Sequence, residues 1–259
     1  LDTGIDFNHP DFAGRFAGGN DTASFVPGVS SAQDGNGHGT HCAGVIAGAA
    51  ASSGQRRYSV APDAELLIGK VLDDGGSGFD DQILDGIDWA ADSGAQIISM
   101  SLGSGRNSGD PYSDPYEVVA GNLLAMMPGT LMVAAAGNES ARPAFIAAVG
   151  NPASCPSILA VAAVDRFKRV ADFSCGQRDN IGFVDVAAPG LGVYSAWTGG
   201  GFNTISGTSM ATPHVAGLAA LLLEVQPDLS ANQLWKRLGE LCESLSTPED
   251  FGKGLVQAP

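Results

Sequence analysis

The chain has 259 residues, 44% of them hydrophobic and only 16% charged, with 36 glycines and 14 prolines. That apolar share excludes a disordered chain, and so much glycine without a triplet period points to a compact, turn-rich fold. The net charge of -15 and the lack of any basic run argue against nucleic-acid binding, and no unbroken run of 18 apolar residues offers a membrane span.

In chain order, Leu1 to Ile5 reads as the end of a buried strand turning at Gly4, and the stretch through Asp34-Gly35-Asn36-Gly37 reads as loop. From His38, the apolar positions Ala43, Val45, Ile46, Ala47, Ala49 and Ala50 predict a buried helix. A strand is expected over Ala64 to Leu72, followed by an exposed loop at Asp73-Asp74-Gly75-Gly76-Ser77-Gly78. Ile83, Leu84, Ile87, Trp89 and Ala90 fall on one face of a helix over residues 80–92, which Gly94 ends. Ile97 to Leu102 is the next strand, Pro115 to Met127 a helix stopped near Pro128-Gly129, and Leu131 to Ala136 another strand. Further strands are expected at Ile158–Ala163, Phe183–Ala187 and Val193–Ala196. Two helices follow, Met210 to Val225 and Leu229 to Leu241, the second opened by a capping box of Ser230 and Gln233. Alternating helices and nearly continuous apolar strands predict an α/β fold with a mostly parallel sheet covered on both faces, in one domain.

Three polar residues stand at the ends of these elements. Asp2 closes a strand, and His38 and Ser209 open helices, the latter within Gly207-Thr208-Ser209-Met210-Ala211. A serine hydroxyl becomes a nucleophile when an imidazole takes its proton and a carboxylate fixes that imidazole's tautomer. Helix-start N–H groups and Asn138, just after a strand, are suited to stabilise the negative oxygen that forms. Taken singly, each has an ordinary reading: Asp2 and Asn138 as turn residues, His38 as a helix-start group or metal ligand, Ser209 as an N-cap.

The local strings are more specific. Asp2-Thr3-Gly4 with His9-Pro10-Asp11-Phe12, His38-Gly39-Thr40-His41-Cys42-Ala43-Gly44, and Gly207-Thr208-Ser209-Met210-Ala211-Thr212-Pro213-His214 occur in that order. They closely resemble the three motifs of the subtilisin-like serine proteases (subtilases, peptidase family S8), particularly the proteinase K-like branch, and the order Asp, His, Ser is the one known for subtilisin. The resemblance extends from Asp2 to about Ala258. It implies the three-layer subtilisin-like α/β fold and a serine endopeptidase (EC 3.4.21.-) acting through an acyl-enzyme. In that reading Ser209 is the nucleophile, His38 the base, Asp2 its orienting carboxylate, and Asn138 with the Ser209 N–H the oxyanion donors.

The same resemblance implies the substrate groove. Ser101, Leu102, Gly103 and Ser104 form one wall of the first pocket, Ala135, Ala136 and Gly137 the other, and Gly76, Ser77 and Gly78 a second rail for extended peptide. Glu139 at the pocket mouth and Asp80 near a more distant subsite extend an otherwise broad, apolar preference to Lys and Arg. His41 and His214 are expected to be structural, and Cys42 a free cysteine under His38. For the other cysteines two states stay open: Cys155 bridged to Cys175 with Cys242 single, or all reduced. The backbone carbonyls of Pro156 and Ile158 with the Asp185 carboxylate are implied as a structural calcium site; no organic cofactor is expected.

Polypeptide substrates, a monomeric and extracellular or secreted enzyme, and an N-terminal propeptide in the precursor are further implications. Because Leu1 opens inside the first motif, residues 1–259 are read as a peptidase S8 catalytic domain lacking its N-terminal segment, expected to fold poorly or be inactive alone. Two alternatives use the same residues differently: a transpeptidase or macrocyclase that excludes water, and a non-enzymatic pseudoprotease.

Overall fold

The computed structural model describes residues 1–16, 21–49, 56–126 and 129–259. Ala50 of the first expected helix, and the Met127-Pro128 helix end, lie outside the described residues. The described elements run β1 Thr22–Ser24, α1 His38–Ala47, β2 Ile68–Lys70, α2 Asp80–Asp92, β3 Ile97–Met100, β4 Ser104–Arg106, α3 Asp114–Met126, β5 Leu131–Ala135 and β6 Ala148–Asn151. They continue with β7 Leu159–Val164, β8 Val186–Pro189, β9 Val193–Trp197, β10 Gly201–Ile205, α4 Thr208–Val225, α5 Ala231–Glu240, β11 Cys242–Glu243, α6 Pro248–Phe251 and β12 Leu255–Val256.

These elements fall into two compact units. The first comprises Leu1–Ala95 with Tyr194–Thr204. In it β1 pairs with β2 in parallel, and Asp2 bridges to Lys70 on the same strand, so the segment carrying Asp2 is anchored along β2. The expected strand over Ala64 to Leu72 shrinks to three residues because only Ile68–Lys70 finds a ladder partner. Ile5, Phe12, Ala32, Ala43, Ile68 and Ala196 form the core of this unit.

The second unit comprises Gln96–Val193 with Ile205–Pro259. Its sheet has six strands in the order β11-β12-β8-β7-β5-β3, all neighbours parallel except β11 with β12. Every residue of β5 and β7 is buried, which is why both read as unbroken apolar runs. The fold is the three-layer α/β class, a mostly parallel sheet flanked by helices. α4 packs against β3, β5, β7 and β8. By length and composition α4 alone among the described helices could cross a membrane, but it is mostly buried inside the fold and serves as a core helix.

Several boundaries differ from the sequence reading. α4 begins at Thr208 with Gly207 as its N-cap, so Ser209 is the second helical residue and not the residue before a helix that starts at Met210. The strand expected at Phe183–Ala187 lies at Val186–Pro189, because Phe183 is exposed and Val186 starts the pairing with β7. No disulfide joins any of the four cysteines, which agrees with the all-reduced alternative.

Candidate active site

In the first unit, His38 is the first residue of α1, and Asp2 lies alongside β2. What lets them approach is Gly39: a Cβ there would stand 2.3 Å from the Gly4 carbonyl oxygen, so any larger residue would push the helix start off the Asp2 segment. The outcome is a hydrogen bond of 2.7 Å between His38 Nδ1 and Asp2 Oδ1. Since an ionised carboxylate only accepts, Nδ1 carries the proton and Nε2 is left with the lone pair. The Thr3 N–H also donates to Asp2 Oδ1, at 2.7 Å. Burial pushes the Asp2 carboxyl up, but the charge His38 carries when protonated, its hydrogen bond and the Thr3 N–H together hold it below the usual range. The Asp2 charge in turn raises the His38 pKa, against the opposing effect of burial.

Cys42 Sγ lies 3.9 Å from His38 Nδ1. Among the described residues Asp2, His38 and Cys42 are the group whose donor atoms could together hold a metal, yet the direct 2.7 Å contact leaves no room for an ion between carboxylate and imidazole. His41 is fully buried and meets the Trp197 ring edge-on, and its carbonyl accepts the Ser195 hydroxyl, so it is structural.

The loop at residues 73–78 is ordered by Asp73, whose Oδ1 accepts the N–H groups of Gly75 and Ser77. Asp80 is exposed at the start of α2, and its neighbour Phe79 is 74% exposed. The sequence reading passed over that aromatic, which a large apolar residue just outside a helix start could have signalled.

In the second unit, Ser209 sits in the first turn of α4 with its hydroxyl donating to the Ser101 carbonyl at 3.1 Å. The same helix contains Pro213, four residues on, which has no N–H to offer the Ser209 carbonyl. The Ser101 hydroxyl fills that vacancy, donating to the Ser209 oxygen at 2.7 Å. Ser101 therefore grips Ser209 at two points.

Asn138 follows β5. Its Oδ1 accepts both the backbone N–H and the hydroxyl of Thr208, at 2.8 and 3.0 Å. A backbone N–H can only donate, so the orientation of the amide is settled and Nδ2 is the outward donor. A Cβ built on Gly207 would lie 3.6 Å from the Ser209 nitrogen and 3.7 Å from both Asn138 Nδ2 and Met210 Sδ, so the two nitrogens border the space that a side chain at 207 would take. Thr208 was quoted within its motif but given no role, because its partner lies 70 residues away.

Ser101, Leu102 and Gly103 lie outside regular structure, whereas Ser104 pairs with Asn151 in the β4–β6 ladder. Across from them Ala136 is buried, and Gly137 has φ +113 with a would-be Cβ 2.5 Å from Glu139 Oε2. The exposed Glu139 accepts the Cys175 thiol at 3.1 Å, and burial pushes that thiol up to about 12, so it stays a donor. His214 is held by the Met210 carbonyl and kept neutral by burial.

Asp185, Pro156 and Ile158 belong to this unit too. Desolvation raises the Asp185 carboxyl to about 6, even though Oδ2 accepts the Ala160 N–H at 2.8 Å. Together with two carbonyls it would supply only hard oxygen donors, a set that fits calcium.

The chain matches the Subtilase family over residues 1–243. It is 41% identical to Subtilisin DY of Bacillus licheniformis over 256 residues, covering 99% of this chain and 86% of that one. With the Thermostable alkaline protease of Halalkalibacterium halodurans it shares 42% identity over 258 residues, all of this chain and 65% of the relative. Among solved structures, Sphericase superposes with a TM-score of 0.83 at 36% identity, covering 100% of this chain and 90% of that one.

Proposed function

The chain belongs to the subtilase family of serine endopeptidases, and from that premise we propose that it cleaves extended polypeptides through an acyl-enzyme on Ser209. The observation that supports this best is the nearness of Ser209 N and Asn138 Nδ2, which both border the space left by the missing side chain of Gly207. A peptide carbonyl oxygen placed there would be polarised by two fixed donors, which cost no reorganisation when the oxygen becomes negative.

In this reading Ser209 Oγ attacks the carbonyl carbon while its proton passes to His38 Nε2. The C–O bond forms, the carbonyl π pair moves onto oxygen, and the oxyanion is held by the two donors. On collapse the C–N bond breaks and His38 gives its proton to the departing amine. Water, losing a proton to His38, then attacks the ester, and the acid product leaves with Ser209 restored. Asp2 keeps the proton on Nδ1 throughout and stabilises the imidazolium. The proposal treats residues 1–259 as one catalytic domain.

Substrate selection belongs to the same proposal. Ser101 to Ser104 with Ala135 to Gly137 line the first pocket, and Gly76 to Gly78 beside exposed Phe79 offer an edge and an apolar contact to extended peptide. Glu139 and Asp80 add tolerance for basic side chains. Peptide-library profiling in which neither E139Q nor D80N altered the balance between basic and apolar residues would remove that clause. Asp185 with the Pro156 and Ile158 carbonyls holds a calcium ion whose contribution is stability; added calcium raises Tm in the native protein and fails to do so in D185N. Secretion as a monomer, from a precursor with an N-terminal propeptide, accompanies this reading.

The test of the reaction itself is labelling with a fluorophosphonate probe, followed by mass analysis. The expected result is one adduct, on Ser209, and peptide products heavier by one water. A folded protein that takes no label, or that joins the acyl group to an added amine in preference to water, overturns the proposal.

A further inference from the structure

We propose that Asp34 is a positioning residue that sets the geometry of the Asp2–His38 pair. The inference rests on the function proposed above.

Asp34 is 3% exposed and lies in the loop before α1. Its carboxylate accepts five hydrogen bonds from three directions. Oδ1 takes the Thr3 hydroxyl and the N–H groups of Asn36 and Gly37, each at 2.9 Å. Oδ2 takes the Thr40 N–H at 2.9 Å and the Thr40 hydroxyl at 2.6 Å. Gly37 is the N-cap of α1 and Thr40 is in its first turn, so one carboxylate satisfies helix-start donors that no side chain of the cap residue reaches. His38 lies between them.

The remaining contact reaches the other partner. Thr3 follows Asp2, and its hydroxyl not only donates to Asp34 but also accepts the Gly39 N–H at 2.9 Å. Lys70 Nζ, itself buried, holds the Thr3 carbonyl at 2.6 Å, and the Thr40 hydroxyl accepts the Asp6 N–H. The two residues flanking His38 on one side and the residue after Asp2 on the other are thus tied to a single anionic centre. Charge-assisted hydrogen bonds of this kind are about twice as strong as neutral ones. An amide at position 34 would turn donor hydrogens toward Thr3 and Gly37, or toward Thr40, breaking one side of the tie while conserving volume.

The test is Asp34→Asn in the full chain, with Thr3→Val and Thr3→Ser beside it and Ser209→Ala as control. In D34N we expect kcat to fall about 10²-fold, the size of loss that a 1 Å misplacement produces, with KM unchanged. The acid limb of kcat/KM should move to lower pH, because a looser Asp2 contact lowers the His38 pKa; the titratable side chains that raise it are Asp2 and Cys42. T3V, which removes both hydroxyl contacts, should move kcat and the acid limb in the same sense, and T3S should restore them. Wild-type kcat in folded D34N, or a fall in kcat with no shift of the acid limb, overturns the proposal. Should D34N not fold by circular dichroism, T3V decides by the same two readouts. Activity in S209A near the wild-type level would instead sink the function on which the proposal rests.

Discussion

The cluster around Asp2 and His38 is built from charge, and the cluster around Ser209 and Asn138 from neutral groups. In the first, two buried carboxylates, a buried lysine and an imidazole are wired together by hydrogen bonds of 2.6–2.9 Å. In the second, hydroxyls, a carboxamide and backbone amides hold one another. The difference follows from what each cluster does in the proposed reaction. A base must gain and lose a proton near neutral pH, so its affinity for that proton has to be tuned by fixed charge. An oxyanion site must face a charge that exists only in the transition state, and pre-oriented dipoles do this without holding an ion beforehand.

Changes in the charged cluster should therefore move the pH profile, and changes in the neutral cluster should scale the rate at every pH. The largest effect expected is in the neutral cluster: Ser209→Ala should reduce kcat by about 10⁶-fold, the loss known for subtilisin, with the residual rate flat in steady-state assays between mildly acid and alkaline buffers. Asp2→Asn should cost about 10⁴-fold. It should also carry the acid limb to lower pH, since removing the carboxylate removes what raises the His38 pKa, and an imidazole that deprotonates more easily is available as a base in more acid solution. Asn138→Ala should lower kcat by about 10²–10³-fold, again the range seen in subtilisin. Here the acid limb should stay in place, and Thr208→Val, which removes one of the two hydrogen bonds to the Asn138 amide, should repeat the pattern at smaller size. An acid-limb shift in N138A would break the comparison.

Charge in the second unit serves stability instead. The Arg106 guanidinium meets Asp179 through two nitrogens, at 2.9 and 3.1 Å, with both side chains largely buried. Burial works against the ionised Asp179, but Arg106 and the N–H groups of Gly109, Gly182 and Ile181 hold its carboxyl far below the usual range. A depressed carboxyl stabilises the fold above its unfolded pKa of about 3.9, and that contribution is lost as pH falls through the folded value. Asp179→Asn should cost about 3 kcal/mol in urea melts at neutral pH, as for other broken buried pairs. The gap to the wild type should close in acid, while kcat at neutral pH is unchanged.

Much of this was legible in the chain itself. The helix at Asp80–Asp92, the capping box of Ser230 and Gln233, and the buried strands β5 and β7 follow from periodicity and local pairing, which adjacent residues carry. So do the three motifs that hold Asp2, His38 and Ser209, and with them the family. Short elements such as β4 and β6 have no pattern of their own; they exist because a distant strand offers a ladder.

What the sequence determined alone was the alternation of elements and the three motifs that mark the family, because both are written in residues near one another. The tertiary structure decided how the side chains are held. Ser101 supports Ser209 across 108 positions, Thr208 orients Asn138 across 70, and Asp34 reaches Thr3 across 31. A hydrogen bond over such a span leaves no local periodicity or spacing, since either partner alone is an ordinary serine, threonine or aspartate until the fold brings the other within 3 Å.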